Sequence, residues 1–147
     1  FATAGVIPLV IAGPQWLTGT VVNLCLFAAA SRLTAKQQVF LSILPSLSAM
    51  IHGLLFGPFT AFLIYFLPFI WLGNWVLMRA FLLLRHSSFL LKIILPSMLK
   101  TALLFGAANL YFSYHLVPRL FLTTMGVMQL GTAIAGGSIY ILVRKKL

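Results

Sequence analysis

The sequence predicts an all-α fold, a polytopic membrane helix bundle of six transmembrane helices with both termini cytoplasmic and one domain over residues 1–147. Of the 147 residues, 62% are hydrophobic and 7% are charged, whereas soluble domains are about 45–50% apolar and about 25% charged. The mean hydropathy is +1.11. Uncharged stretches long enough to cross a bilayer recur along the chain, and the cations gather in the short loops between them.

The first two segments come from an uncharged stretch that runs from the start of the sequence to Ser31. The Gly13-Pro14 pair divides it, because Gly and Pro interrupt helices. Residues 1–13 form a short first segment, which we expect to be truncated because the sequence begins with Phe rather than Met. This segment has no basic start of the kind found in a secretory signal peptide. We expect the second segment at about residues 16–33.

The third and fourth segments lie in the uncharged stretch between Lys36 and Arg79. At about 1.5 Å per residue this stretch is long enough for two bilayer crossings. Gly57-Pro58 marks the turn between them. We therefore expect the third segment at about residues 38–56 and the fourth at about residues 59–84.

The fifth segment follows the polar turn Arg85-His86-Ser87-Ser88 and covers about residues 89–114. It contains Lys100 in its interior. The sixth segment covers about residues 120–143, a span without charged residues, and the basic run Arg144-Lys145-Lys146 follows it.

The distribution of cations supports six segments, because Lys and Arg collect in short cytoplasmic loops. If consecutive segments alternate in direction, one side of the membrane receives Arg32, Lys36, Arg79, Arg85, Lys92, Arg144, Lys145 and Lys146. The loops on the other side hold Arg119. Lys100 remains inside the fifth segment, where we expect its side chain to snorkel toward the cytoplasmic surface or to face a partner subunit.

The residues that the sequence lacks exclude several classes of function. It contains no Asp and no Glu, which excludes carboxylate acid–base catalysis, EF-hand calcium sites and carboxylate proton relays. The single cysteine, Cys25, cannot form an internal disulfide or hold an iron–sulfur cluster alone. We therefore expect no enzyme activity and no cofactor. Nucleic acid is not an expected partner, because the cations are spread over separate loops.

Polar and aromatic side chains at membrane depth are concentrated in the outer half of the predicted bundle. They predict a substrate pocket open to the outside, with aromatic walls and amide or imidazole donors, formed by Gln15, Trp16, Asn23, His52, Asn109, Tyr111 and Gln129. The alternative for each residue is structural, because Trp and Tyr form interfacial belts and Asn links helices. We expect no metal centre, because the pair of His52 and His115 is an incomplete ligand set.

Two local patterns predict close contact between helices. The run Trp71-Leu72-Gly73-Asn74-Trp75 is interpreted as a packing device, with a ligand contact by Asn74 as the alternative. In the sixth segment small residues recur four apart, as Gly131 with Ala135, Thr132 with Gly136, and Ala133 with Gly137. Such spacing allows another helix to approach closely, either in this chain or in a partner.

Four motifs carry a family resemblance. They are Gly13-Pro14-Gln15-Trp16-Leu17-Thr18-Gly19-Thr20-Val21-Val22-Asn23, Leu44-Pro45-Ser46, Gly57-Pro58, and Leu67-Pro68-Phe69-Ile70-Trp71-Leu72-Gly73-Asn74. In these motifs the chain resembles the substrate-binding S component of energy-coupling factor (ECF) transporters, and most closely a subgroup of uncharacterised S-component-like proteins. The resemblance covers about residues 8–84 by motif and the remainder by hydropathy.

The resemblance implies a six-helix protein of the inner (plasma) membrane that binds a small molecule, vitamin-like or a metal ion, at its outer side. Its implied partners are the membrane lipid, the solute, a membrane T component and two ATPases. The family's Ala-rich docking motif would fall at Ala2-Thr3-Ala4-Gly5. Cationic solutes are expected less than neutral or anionic ones, since only aromatic faces and neutral dipoles would receive a cation.

Two other classes of function remain open. A structural or accessory subunit of a larger membrane complex would bind no ligand of its own, and would use Lys100 and the small-residue surface of the sixth segment to contact partners. A small pore or self-associating channel is the third class. It is disfavoured because no segment carries a continuous polar stripe.

Overall fold

The computed structural model describes residues 15–52 and 57–144. Within these ranges nothing is described of the side chains of Ile51, His52, Gly57, Pro58 and Thr60. The predicted first segment, the docking motif at Ala2-Thr3-Ala4-Gly5, the His52 side chain and the last two lysines therefore lie outside the described residues.

Every regular element in the described ranges is a helix. In chain order the elements are α1 (Gln15–Ala30), α2 (Ala35–His52), a 3₁₀ helix (Gly57–Phe66), α3 (Leu67–Leu83), α4 (Phe89–Ser113), α5 (Leu120–Met125) and α6 (Val127–Arg144). The all-α prediction is confirmed for these residues. The second and fifth predicted segments coincide closely with α1 and α4. The third begins slightly earlier than expected, and its predicted last residues, 53–56, lie outside the described ranges.

Two of the predicted segments change conformation along their length. The fourth begins as the 3₁₀ helix and becomes α-helical at Leu67, with Pro68 in the first turn of α3, where its missing N–H leaves no helical hydrogen bond unmade. The sixth is divided at Gly126, which has φ −99° and ψ −103°. A Cβ on Gly126 would lie 2.7 Å from the carbonyl oxygen of Leu122 and 2.9 Å from the Phe105 ring. The sixth predicted span therefore contains a local break at Gly126, although Leu120–Arg144 remains one apolar stretch long enough to cross a membrane.

Three described helical stretches are long and apolar enough to cross a membrane, namely Ala61–Leu83, Phe89–Ser113 and Leu120–Arg144. The helix Gln15–Ala30 is apolar but shorter. The outer surface of α4 exposes a continuous set of large apolar side chains, including Leu90, Leu91, Ile94, Leu95, Met98 and Leu99. Soluble proteins rarely expose so large an apolar surface, and such a surface fits contact with lipid.

The helices α1 and α6 pack side by side and run in the same direction. Near the middle of each helix, the Asn23 amide donates to the Thr132 hydroxyl over 3.3 Å. About two turns later, the hydroxyl of Ser31, which directly follows α1, lies 3.3 Å from the hydroxyl of Tyr140 in α6. The equal spacing of these two contacts establishes the parallel orientation.

Glycines in α6 allow this close packing. A Cβ on Gly136 would lie 2.7 Å from both the backbone nitrogen of Leu24 and the carbonyl oxygen of Thr20 in α1. A Cβ on Gly137 would lie 2.8 Å from the Phe27 ring. This part of the small-residue surface therefore receives a helix of the same chain.

The C-terminal ends of α1, α3 and α6 lie together. The Phe81 ring, near the end of α3, contacts the rings of Phe27 at 5.1 Å and Tyr140 at 5.8 Å. The residues that follow or close these three helices include Arg32, Arg85 and Arg144. We call this end of the bundle the basic end.

Two apolar clusters divide the interior along the bundle. The first lies toward the basic end and includes Leu26, Phe27, Leu77, Met78, Phe81 and Ile141. The second lies toward the opposite end and includes Leu63, Phe66, Leu104, Phe121 and Met125. The polar residues Asn23 and Asn74 precede Leu26 and Leu77 by about one helical turn. Buried polar side chains therefore begin where the first apolar cluster ends.

Candidate functional site

A cavity of about 80 Å³ lies between α1, α2, α3, α4 and α6. Its polar lining residues are Gln15, Thr18, Asn23, Ser46, Asn74, Lys100, Gln129 and Thr132. Its apolar wall is formed by Val22, Pro45, Ala49, Leu63, Ile70, Met125 and Met128. Since one water needs about 10–15 Å³ of cavity volume, the cavity has room for roughly five to eight waters, or for a small organic group of similar volume.

The cavity lies in the half of the bundle that is remote from the basic end. Asn23 is about 10 Å from the end of α1, Asn74 is about 13 Å from the end of α3, and Thr132 is about 18 Å from the end of α6. The first apolar cluster fills the space between these residues and the basic end. A solute would therefore enter more readily from the opposite end.

Lys100, near the middle of α4, is the charged residue of the cavity lining. Its side chain is 3% exposed, and its Nζ donates a hydrogen bond of 2.7 Å to Oδ1 of Asn23. The aliphatic part passes over Gly73 of α3, where a Cβ would lie 3.3 Å from Cγ of Lys100. The expectation that Lys100 snorkels to the surface or faces a partner subunit is therefore wrong, because Gly73 leaves room for the side chain inside the bundle.

Asn23 connects three helices around the cavity. While its Oδ1 accepts from Lys100, its Nδ2 donates to the carbonyl oxygen of Gly19 over 2.9 Å and to the hydroxyl of Thr132 over 3.3 Å. Gly19 allows Thr132 to approach, since a Cβ there would lie 3.1 Å from the Thr132 methyl group. The side chain of Asn23 is 1% exposed, so these contacts fix its orientation in the folded chain.

The Trp71–Asn74 run joins α3 to α2. Nε1 of Trp71 donates to the Ser46 hydroxyl over 2.7 Å, and Nδ2 of Asn74 donates to the carbonyl oxygen of Ser42 over 3.0 Å. The interpretation of this run as a packing device is confirmed. Asn74 also lines the cavity, and its Oδ1 is buried without a hydrogen-bond partner among the described residues. This oxygen is an acceptor that the described residues leave unused.

Three of the seven predicted site residues lie together at the cavity. Gln15, Asn23 and Gln129 all line it. The side-chain amides of Gln15 and Gln129 are half-buried and make no hydrogen bond to the described residues, so both donors and acceptors are open to a solute. The side chain of His52 lies outside the description.

The structure does not bring the other three predicted residues to the cavity. Trp16 is 56% exposed on the outer surface of α1. Asn109 is exposed and donates to the carbonyl oxygen of Phe105 in its own helix. Tyr111 packs against the Phe66 ring at a centroid distance of 5.4 Å, in the aromatic part of the second apolar cluster. Asn109 follows Lys100 by about two and a half turns, which places it on the opposite face of α4.

Lys100, Asn74 and Thr132 are cavity residues that the pocket prediction did not include. A signal for Lys100 exists in the sequence, because a cation within an apolar segment of a chain without acidic residues requires neutral acceptors at the same depth. Asn23 and Asn74 are buried amides at that depth. Considered together, these three residues would have located the site.

No family model matches the chain, and neither a curated protein nor a solved structure matches it. The geometry of the cavity is therefore the main basis for a functional assignment. Its lining can give a bound molecule an ammonium group, several amides and an apolar wall, which is the composition of a small-molecule binding site.

Proposed function

We propose that this protein is an integral membrane subunit that binds a small solute in the cavity around Lys100 and Asn23. The observation that carries the proposal is the convergence of polar side chains from five helices on one cavity inside an apolar bundle. Polar and ionisable groups at membrane depth are expensive to bury and usually serve a site or a pathway. Packing alone does not require such a set around an open space.

The proposal includes six spans with both termini in the cytoplasm. By the positive-inside rule, the basic end faces the cytoplasm and the cavity lies toward the outside. The parallel packing of α1 and α6 supports this arrangement, because the second and sixth of six consecutive spans run in the same direction. The apolar cluster at the basic end would close the cavity from the cytoplasm while a solute enters from outside.

We further propose that transport requires the partners that the ECF resemblance implies, a T component and ATPases. The sequence contains no Asp or Glu with which to couple protons to transport. The exposed apolar face of α4 offers a surface for lipid or for a membrane partner. Co-purification of the full chain with such subunits from its native membrane would support this part directly.

A structural or accessory subunit without a ligand is the alternative. Its sequence argument relied on Lys100 and on the small residues of the sixth segment as contacts for partners. Lys100 instead contacts Asn23, and Gly136 instead receives α1. Both features are thus used within the chain, which favours the solute-binding proposal.

The proposal is tested by filling the cavity. Val22 lines the cavity, whereas Val127 is 76% exposed on α6 and lies outside it. The purified full chain and the variants Val22→Phe and Val127→Phe are each incubated with a panel of vitamins, organic acids and metal ions, and bound solute is measured by native mass spectrometry. We expect a solute adduct on the original chain and on Val127→Phe, with a loss of at least about tenfold in affinity for Val22→Phe, which is about 1.4 kcal/mol.

Two outcomes would contradict the proposed function. One is the absence of any adduct across the whole panel. The other is an adduct that Val22→Phe and Val127→Phe retain equally, because the solute would then bind elsewhere on the protein.

A further inference from the structure

We propose that the solute of this cavity is a small monocarboxylate and that Lys100 supplies its counter-charge. This inference rests on the proposed function and names the chemical class of the solute.

The first step concerns the unmet hydrogen bonding of Lys100. An ammonium group has three N–H donors. Among the described residues its side chain has one acceptor, Oδ1 of Asn23 at 2.7 Å, and the residue is 3% exposed. A carboxylate has two oxygens that accept charge-assisted hydrogen bonds, so it would occupy the remaining donors.

The second step concerns charge. A buried ammonium is stabilised by an opposite charge close to it, and the sequence contains no Asp or Glu that could supply one. The groups that α1, α3 and α6 present to the cavity beside Lys100 are the neutral side chains of Asn23, Asn74, Gln129 and Thr132. Since no described residue of the lining carries that charge, we infer that it comes with the solute.

The third step selects a monoanion. Among the described residues that line the cavity, Lys100 is the one cation, so a single negative charge is balanced and a doubly charged phosphate is not. The same cation repels a metal ion or a cationic solute. Among the solutes implied by the ECF resemblance, this favours an organic acid over a metal ion.

The fourth step concerns the rest of the solute. Gln15 and Gln129 bring amide groups without hydrogen bonds to described residues, and Met125 and Met128 form an apolar wall. A carboxylate at Lys100 would leave the remainder of the molecule between these amides and the methionines. We therefore infer a short organic acid with a partly apolar body.

The test compares acids with their uncharged amides. The probes are acetate, butyrate, hexanoate and benzoate, each against the corresponding primary amide, and binding to the full chain in detergent is measured by calorimetry and thermal shift. We expect carboxylates to bind at least about 30-fold more tightly than their amides, as removal of one member of a buried charge pair predicts.

Variants identify Lys100 as the group responsible. Lys100→Met is expected to lower carboxylate affinity by at least about 30-fold. Lys100→Gln, which keeps a neutral donor for Asn23, is expected to lose the same affinity. Its unfolding transition in the thermal shift measurement shows whether the variant is folded, so a loss through misfolding is recognised. Lys92→Met is the matched control, since Lys92 lies on the same helix outside the cavity, and it should bind like the original chain.

The outcomes separate the two proposals. Equal binding of acids and amides, or full carboxylate affinity in Lys100→Gln, overturns the monocarboxylate inference while the proposed function stands. If no member of either series binds, the inference is overturned, and the proposed function is decided by the mass spectrometry of Val22→Phe and Val127→Phe. Preference for carboxylates that disappears in both Lys100 variants supports the inference.

Discussion

The contact between Lys100 and Asn23 can be measured by a double-mutant cycle. The cycle uses Asn23→Ala, Lys100→Met and the double variant, and it isolates the energy that depends on both residues being present. Both side chains are almost fully buried, and they join α4 to α1 through one hydrogen bond of 2.7 Å. The contact is therefore shielded from water in the folded chain.

The expected coupling energy follows from the contacts of each residue. Asn23→Ala loses a hydrogen bond to a charged group, about 1.5–3 kcal/mol, and two neutral ones, to Gly19 and Thr132, of about 1 kcal/mol each. Lys100→Met loses the same charged bond but also removes a buried charge, so its net effect is expected to be neutral or stabilising. When Lys100 is already Met, Asn23→Ala loses only the two neutral bonds, about 2 kcal/mol. The coupling energy is therefore about 2 kcal/mol.

Reversible unfolding in mixed detergent micelles, followed by the fluorescence of the three tryptophans, gives the four free energies. Asn109→Ala is the control, since Asn109 is exposed and should change stability by less than about 0.5 kcal/mol. Neutral hydrogen bonds between membrane helices average about 0.6 kcal/mol of coupling. A measured coupling of that size or smaller would refute the assignment of a charged Lys100 to this contact.

Two further predictions concern packing and topology. Gly136→Ala is expected to destabilise the protein by about 3 kcal/mol, because its Cβ would meet the backbone of α1. Gly131→Ala is the control, since a Cβ there meets nothing within 4 Å, and it should be neutral or stabilising when both variants are compared by thermal unfolding. Equal effects would contradict the close α1–α6 contact. In a Cys25→Ser background, Tyr114→Cys should react with a membrane-impermeant maleimide in intact cells, and Arg85→Cys should react only after permeabilisation. The reverse labelling would contradict the proposed cytoplasmic position of the basic end.

Hydropathy and charge were sufficient to predict the helical class and most helix boundaries, because these properties report where the chain meets lipid and where it turns. They do not report the local geometry of a helix. At the break, the absence of a Cβ on Gly126 leaves room for the Phe105 ring, which approaches from another helix. The small residues around Gly136 likewise predicted a close approach, but the sequence did not indicate that α1 would be the partner.

The candidate site was predicted in part for a similar reason. Depth along each segment identified Gln15, Asn23 and Gln129, but depth does not determine which face of a helix turns inward. Asn109 has a suitable depth and lies on the wrong face of α4. Lys100 was assigned to the surface because snorkelling is the usual solution for a lysine in lipid, and the space above Gly73 that accommodates it arises only when α3 and α4 pack together.

The pairing of α1 with α6 also determines when the cavity forms during synthesis. The residues that join these helices, Asn23 and Thr132, are separated by 109 positions, which at about 5–20 residues per second is roughly 5–20 s of translation. Asn23 is present in the growing chain throughout that interval, whereas Lys100 follows it after 77 residues and Thr132 after 109. The cavity is thus completed only when the last described helix is in place, so a ribosome-released fragment that ends before α6 would leave Asn23 without Thr132 to contact.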